Sequence, residues 1–130
     1  MNATDSAPGA HGPGARPTTI RLRKAEKILD IEFDDDRSFS FPAELLRVES
    51  PSAEVQGHAA DQKQTVAGRR HVGIMKVEAV GNYAISIMFD DLHETGIYSW
   101  AYLYELGAGM ENRWDAYLAE LAAKGLSRDP

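Results

Sequence analysis

Two alternating segments around a tight turn constrain the fold of this chain more than any other feature. Val72–Val80 and Tyr83–Phe89 alternate apolar and polar residues, and Gly81-Asn82 lies between them. Glycine and asparagine adopt the left-handed backbone conformations that two-residue hairpin turns require. The pattern therefore predicts an antiparallel β-hairpin. Its inward-facing residues are expected to supply much of the core: Ile74, Val77, Val80, Ile85, Ile87 and Phe89.

A second hairpin is predicted near the start of the chain. Thr18–Arg23, Ile28–Phe33 and Ser38–Phe41 each alternate apolar and polar residues, which is typical of half-buried strands. Asp34-Asp35-Asp36 forms the turn between the last two of these segments. Three carboxylates invite an acid–base interpretation, but a hairpin tip is solvated and loosely held, which favours a simple turn.

Helices are predicted mainly in the second half of the chain. Pro42–Arg47 begins with proline, Trp100–Leu106 follows a plausible Ser99 N-cap, and Met110–Lys124 repeats apolar residues at helical spacing. The apolar face of the last helix is either core or a groove for a partner, with Trp114 and Tyr117 as anchors. The face consists of Met110, Trp114, Tyr117, Leu118 and Leu121.

The order of these elements favours an α+β fold, because strands cluster early and helices late. We expect two antiparallel β-hairpins forming a small sheet, packed with two to three C-terminal helices. The length predicts a single domain, which we place at residues 18–126. Residues 1–17 contain no Ile, Leu, Val or aromatic residue and are predicted to be a disordered tail. Residues 56–71 are polar and lack periodicity, so a long exposed loop is expected there.

Composition excludes several classes of function. The net charge is −6 and most basic residues are scattered, which makes nucleic acid a poor partner. No apolar run of about 18 residues occurs, so no membrane partner is expected and the cytoplasm is the expected location. The chain has no cysteine, which excludes disulfides and sites built from thiolates.

The segment Phe89–Leu103 is the densest in chemically competent side chains. A metal site is one interpretation, because carboxylates and imidazole bind metal ions. Such a site would need a further ligand, such as His58 or His71. The other interpretation is structural, with turn aspartates and a hydrogen-bonded histidine, since the spacing does not place two ligands on one helical face. The candidate ligands are Asp90, Asp91, His93 and Glu94.

The same segment carries the aromatic residues that are candidates for contact with a partner. If the chain is an interaction module, we expect them to form an exposed patch, whereas burial would argue for a role in the core. These residues are Tyr98, Trp100, Tyr102 and Tyr104.

Two blocks of sequence carry a resemblance to a known family. His93-Glu94-Thr95-Gly96-Ile97-Tyr98-Ser99-Trp100, followed by Tyr102-Leu103, resembles the signature of the gamma-butyrobetaine hydroxylase N-terminal-like domain. Residues 45–58 resemble the second block of that family's small bacterial members, and the resemblance covers about residues 18–108. It implies a compact α+β module. Such modules precede the dioxygenase domain of carnitine-synthesis hydroxylases, accompany some P-loop ATPases of iron–sulfur cluster assembly, and occur alone in many bacteria.

The resemblance also implies a metal site, which this sequence does not preserve. In the hydroxylases the domain holds a structural zinc through three cysteines and one histidine. The motif places that histidine at His93 and the cysteines at Ser50, Ser52 and Val55. A lone histidine cannot hold a tetrahedral zinc. We therefore expect no cofactor and no hydroxylase-type zinc.

Three hypotheses for the function follow. The first is a non-catalytic interaction or adaptor module with an unidentified protein partner. The alternative is a metal-binding or metal-delivery protein linked to iron or iron–sulfur metabolism. The third is a small enzyme with an unrecognised site. Hydroxylase activity is not implied, because its iron site requires a larger barrel than this chain can build.

Overall fold

The computed structural model describes residues 14–56, 63–93 and 96–130, without the side chains of residues 53 and 54. Its elements follow the predicted order, and the α+β class is confirmed. They are β1 (Pro17–Arg23), β2 (Ile28–Phe33), β3 (Ser38–Pro42), α1 (Ala43–Val48), α2 (Ala53–Gln56), β4 (Ile74–Val80), β5 (Ala84–Phe89), β6 (Ile97–Ser99), α3 (Trp100–Ala108) and α4 (Met110–Ala123). None of the helices in this part of the chain is long and apolar enough to cross a membrane.

The strands form two antiparallel sheets of three strands each, in the orders β1-β2-β3 and β4-β5-β6. The prediction of one small sheet made from two hairpins is therefore wrong in this respect. β6 pairs with β5 through Ile85 and Tyr98, which are distant in sequence, so no local pattern identifies the third strand of the second sheet.

The second hairpin differs from its prediction at the turn and at one edge. Val80 pairs with Ala84, so the turn contains three residues, and Gly81 adopts a φ of 56° there. The register shifts between Ile74 and Lys76, and a bulge of this kind turns later side chains away from strict alternation. Consequently Val77 and Val80 are only half-buried, whereas the other four predicted core residues of the hairpin are buried.

Both sheets pack with α1 and α3 around one apolar core. Burying each large side chain contributes roughly 1.5–3 kcal/mol, so this core supplies most of the driving force for folding. Ser99 is the N-cap of α3 as predicted, because its Oγ accepts a hydrogen bond from the backbone N–H of Tyr102 at 3.1 Å. The fully buried members include Leu29, Ile31, Phe33, Phe41, Leu45, Leu46, Ile87, Phe89, Tyr98, Leu103 and Leu106.

Helix α4 is attached by a narrower face than its sequence indicates. Tyr117 and Leu121 are buried against Val48, and Trp114 borders this small cluster as well as the main core. Leu118 is 38% exposed, so its assignment to the buried stripe is wrong. Only a few side chains on one side of the helix are therefore needed to hold it.

Two segments outside the regular elements are more closely attached than predicted. Within the predicted loop, the backbone N–H groups of Gly68 and Arg70 donate to the carbonyls of Ser127 and Arg128, and Val66 is half-buried. Residues 63–71 are therefore packed against the C-terminal segment, while residues 57–62 lie outside the described part of the chain.

The predicted tail boundary at residue 17 also needs correction. Ala15 is buried, the backbone of Arg16 exchanges hydrogen bonds with Asp34, and Pro17 already belongs to β1. The other part of the predicted tail, residues 1–13, is not among the described residues. The ordered domain thus begins at least three residues earlier than the sequence suggests.

Candidate functional site

The two sequence blocks that carry the family resemblance meet in space. Residues 46–52 cover the end of α1 and the connection to α2, and residues 91–102 run from the turn after β5 into α3. We call their contact region the motif junction. Five contacts described below hold the two sides together, and most of the participating side chains are buried.

A serine–histidine cluster lies at the centre of the motif junction. Ser50 Oγ is 3.0 Å from His93 Nε2, Ser52 Oγ is 3.4 Å from the same nitrogen, and the two hydroxyl oxygens are 3.3 Å apart. Ser50 is 0%, Ser52 8% and His93 7% exposed, and Val55 is buried as well. The fold therefore brings together three of the four residues that the resemblance aligns with the ligands of a zinc ion.

The donor chemistry of this cluster does not fit a structural zinc. Such sites are closed by charged thiolates and imidazoles, whereas two neutral hydroxyls stand here and Val55 offers no donor atom. His93 Nε2 lies within hydrogen-bonding distance of both serine hydroxyls. Ser50, Ser52 and His93 thus form a hydrogen-bonded polar cluster.

Asp91 acts as a structural anion beside this cluster. Its Oδ2 accepts from Nε of Arg47 and from Nε of Arg69, each at 2.8 Å, and its Oδ1 accepts from the backbone N–H of His93 at 3.1 Å. Burial opposes ionisation, but the hydrogen bond from the His93 backbone and the two guanidinium groups prevail, so the pKa of Asp91 is lowered. Asp91 therefore compensates the charge of Arg47, which is only 5% exposed.

The structure separates the roles of the predicted metal ligands. Asp90 is exposed, Asp91 is engaged by two arginines, and His93 faces the buried serines. Glu94 and His58 are not among the described residues, and His71 is exposed. Across the described ranges, no three or more His, Asp or Glu side chains are grouped so as to hold a metal ion.

Two tyrosine hydroxyls fasten α3 and β6 to the end of α1. Tyr98 donates to the carbonyl of Leu46 at 2.6 Å, and Tyr102 donates to the carbonyl of Glu49. The last carbonyls of a helix lack partners within it, so these hydroxyls satisfy groups that would otherwise be orphaned. Burial raises the pKa of Tyr102 to about 12 and shifts that of Tyr98 in the same direction.

The predicted exposed aromatic patch is wrong for two of its four residues. Tyr98 is 0% and Tyr104 5% exposed, and both belong to the main core. Trp100 and Tyr102 are half-buried, and the indole N–H of Trp100 donates to the carbonyl of Asn82 at 2.8 Å. The alternation of β6 explains the burial of Tyr98, because its neighbour Ile97 takes the outward position.

Both charged residues of α1, and Glu49 directly after it, are buried and paired, which the sequence analysis missed. Glu49, at the end of the helix, accepts from Nζ of Lys63 and from Nη1 of Arg113, each at 3.0 Å. Arg47 pairs with Asp91 as above, and Glu44 pairs with Arg128. Each of these charges is neutralised by a partner more than ten residues away in sequence, so no local spacing could have identified the pairs.

A groove between α1 and the start of α4 is the second feature of functional interest. Its volume is about 630 Å³. Arg128 is part of its lining, where it makes two hydrogen bonds of 2.9 and 2.7 Å to Glu44 and lies 5.1 Å from the centroid of the Trp114 ring. In the sequence, the helical spacing of the apolar residues Met110 and Trp114 indicated this face of α4. The groove is lined by Pro42, Glu44, Leu45, Gly107, Ala108, Met110, Glu111, Trp114 and Arg128.

Comparisons with known proteins agree with the resemblance. Two proteins with NMR solution structures are similar to this chain. The first is 47% identical with a TM-score of 0.78, and the match covers 89% of this chain and 91% of that protein. The second is 40% identical with a TM-score of 0.77, and the match covers 97% of this chain and 92% of that protein. A crystal structure from Acidithiobacillus ferrooxidans, of a protein of unknown function in the DUF971 family, is 34% identical with TM-score 0.61 over 72% and 93%. No match was found among curated proteins. Residues 20–104 match the model of the family described as gamma-butyrobetaine hydroxylase-like, N-terminal, and the chain belongs to that family.

Proposed function

We propose that this protein is a non-catalytic interaction module whose groove between α1 and α4 binds a segment of a partner protein. The segment carries an apolar side chain next to a lysine or arginine. The observation that carries the proposal is the groove itself, an apolar concavity with unpaired acidic residues beside it. The motif junction serves as the scaffold that holds α1, and with it the floor of the groove, in position.

The state of the titratable groups supports a non-catalytic role. An acid–base catalyst must reach the proton it transfers, either directly or through one water molecule. His93 is buried against serines, Asp91 is engaged by two arginines, and Glu49 is engaged by Lys63 and Arg113. These groups are committed to partners within the protein, which suits a scaffold.

The shape of the groove supports the binding of an apolar side chain. Its volume of about 630 Å³ lies within the range of about 300–1,000 Å³ that is usual for binding sites. Leu45 belongs to the main core, and the half-buried side chains of Met110 and Trp114 pack against that core. The lining of the groove is therefore held by rigid elements. Methionine adapts its shape to different contacts, and tryptophan is enriched at sites of protein binding.

Charge beside the groove favours a basic partner. Glu111 lines the groove and Asp115 lies one helical turn further along α4, on either side of Trp114 in sequence. Both are exposed, and neither makes an ion pair within the described residues. Arg128, by contrast, is already neutralised by Glu44. The unpaired charge at the groove is therefore negative, and complementary charge aids both specificity and the rate of association.

A peptide titration tests the proposal. The probe is a synthetic amphipathic peptide of leucine and lysine, and its control is a leucine–glutamate peptide of equal length. A Trp100→Phe background leaves Trp114 as the sole tryptophan fluorophore. We expect a saturable fluorescence change with the basic peptide only, and at least several-fold weaker binding in Glu111→Lys.

The matched variant Glu78→Lys makes the same change of charge on β4, where the side chain is 63% exposed, and should bind the basic peptide nearly as well as the parent. Equal responses to both peptides, no response to either, or equal weakening by both lysine variants would each reject the groove as a site for basic segments.

A further inference from the structure

We infer that Ser50, Ser52 and His93 form a metal-free clasp, in which hydrogen bonds perform the tethering that a zinc ion performs in the zinc-binding members of the family. This inference goes beyond the proposed function and does not depend on it, because the clasp concerns how the motif junction is held and not what the groove binds. Three of the four ligand positions converge although the ligands have changed, and we expect the fourth, Val55, to lie within reach of them.

The clasp joins parts of the chain that are far apart in sequence. His93 is separated from Ser52 by 41 residues and from Ser50 by 43. One side chain from the turn after β5 therefore contacts two side chains from the connection between α1 and α2. A structural metal ion acts in the same way, since it links distant segments through side chains at a single point.

The three side chains can satisfy one another without an ion. A hydroxyl both donates and accepts, and a neutral imidazole presents one donor and one acceptor nitrogen. Ser50 Oγ is within hydrogen-bonding distance of Ser52 Oγ and His93 Nε2, and the backbone N–H of Ser52 donates to it at 3.4 Å. A divalent cation placed here would have to be desolvated among neutral ligands, which is strongly unfavourable.

Close packing around Ser50 supports the same conclusion. A methyl group added at Gly96 would lie 2.7 Å from Ser50 Oγ and 3.4 Å from Cδ of Pro51. Val55, which is 1% exposed, brings an apolar side chain to the position where the resemblance expects a third ligand. The side of the cluster next to Gly96 is therefore filled by protein atoms.

Restoring the ligands tests whether the positions converge. The variant Ser50→Cys/Ser52→Cys/Val55→Cys supplies three thiolates to accompany His93. We expect it to bind one zinc by native mass spectrometry, to give the thiolate charge-transfer and tetrahedral visible bands with Co²⁺, and to lose thermal stability on addition of EDTA. The unmodified protein, incubated with the same zinc, should show no stoichiometric metal and an unchanged Tm. Stoichiometric zinc in the unmodified protein that disappears in His93→Ala would overturn the inference, as would a folded triple variant that binds no metal.

A second pair of variants keeps the inference testable if the triple variant does not fold. Ser50→Ala/Ser52→Ala removes both hydroxyls and leaves His93 in place, and we expect a lower urea midpoint without any change in metal content. Ser38→Ala, at an exposed position of β3, is the matched control and should leave the midpoint unchanged. If the double variant unfolds at the same urea concentration as the control, the hydroxyls do not tether the junction.

Discussion

The Tyr98 hydroxyl donates a hydrogen bond to the Leu46 carbonyl oxygen at 2.6 Å and thereby joins β6 to the last turn of α1. Leu46 precedes Ser50 of the clasp and follows Leu45 of the groove. One short helix therefore links the clasp to the groove that we propose as a binding site. Loss of contacts at the motif junction should consequently be felt at the groove as well.

Removing the Tyr98 hydroxyl should destabilise the protein measurably. Tyr98→Phe leaves the buried Leu46 carbonyl without its partner, and an unsatisfied buried polar group costs about 1–3 kcal/mol. Urea unfolding followed by circular dichroism measures the change. Tyr83→Phe makes the same substitution on a ring that is 56% exposed and should change the unfolding free energy by less than about 0.5 kcal/mol. Equal losses in the two variants would show that the hydrogen bond to Leu46 contributes nothing.

Asp91→Asn should destabilise the protein by about 1.5–3 kcal/mol, because hydrogen bonds to charged groups contribute at this level. The Arg47 side chain is 6% exposed, and its Nη1 already lacks a hydrogen-bond partner within the described residues. The substitution removes the negative charge of Asp91 that compensates Arg47, and this buried cation is then poorly stabilised.

Asp30→Asn is the matched control, since the Arg23–Asp30 pair has side chains that are 29% and 28% exposed. A loss below about 1 kcal/mol is expected there, as for other solvent-exposed pairs. The pKa of Asp91 is lowered in the folded protein, so its stabilising contribution is present above its unfolded pKa of about 3.9 and disappears as the pH falls through the folded value. If Asp91→Asn is no more damaging than the control, Arg47 does not depend on this carboxylate.

Local signals in the sequence predicted most of the fold. The turn at Gly81, the cap at Ser99 and the helical spacing in α4 each depend on neighbours within a few residues, and each feature formed near its expected place, although the turn has three residues and not two. The details that failed depend on tertiary contacts. The exposure of Leu118 and the pairing of β6 with β5 are decided by what packs against them, which periodicity does not report.

The candidate site was less accessible to sequence reasoning for the same physical reason. Aligning the motif placed His93 with Ser50 and Ser52, and the structure brings these side chains together. The partner of Arg47, however, lies 44 residues away, and chemical competence alone suggested a metal ligand where Asp91 instead neutralises that arginine. Residue type indicates what a side chain can do, but the contacts formed on folding decide what it does.

Gly96→Ala should weaken the clasp by a steric mechanism. The added methyl would lie 2.7 Å from Ser50 Oγ, which is closer than real contacts allow, so either the serine or the segment after His93 must move. We expect a loss of about 1–3 kcal/mol, as for other overpacked sites. Gly109→Ala is the control, because its nearest neighbour would be the Glu105 carbonyl oxygen at 3.6 Å, an ordinary contact.

A double-mutant cycle identifies the cause of that loss. Ser50→Ala removes the atom that the new methyl would meet, so Gly96→Ala should cost less in a Ser50→Ala background than in the parent protein. Contacting residues typically show coupling energies of about 0.5–3 kcal/mol. Additive losses would mean that Gly96 is required for a reason other than its approach to Ser50.

Stability should fall at alkaline pH because tyrosines are protonated more strongly in the folded state. Burial raises the pKa of Tyr102 to about 12 and that of Tyr117 to about 12, whereas an unfolded tyrosine titrates near 10. Between these values the unfolded chain has lost protons that the folded protein keeps, so the free energy of unfolding decreases as the pH rises. Below about pH 10 these tyrosines give no pH dependence.

Urea midpoints measured from pH 7 to 12, with tyrosinate absorbance recorded in parallel, test this expectation. Tyr117→Phe removes one hydroxyl and should flatten the alkaline slope, although loss of the hydrogen bond to the Val66 carbonyl lowers its stability at neutral pH. An unchanged slope in Tyr117→Phe, matching that of the exposed control Tyr83→Phe, would show that Tyr117 does not contribute to the alkaline transition.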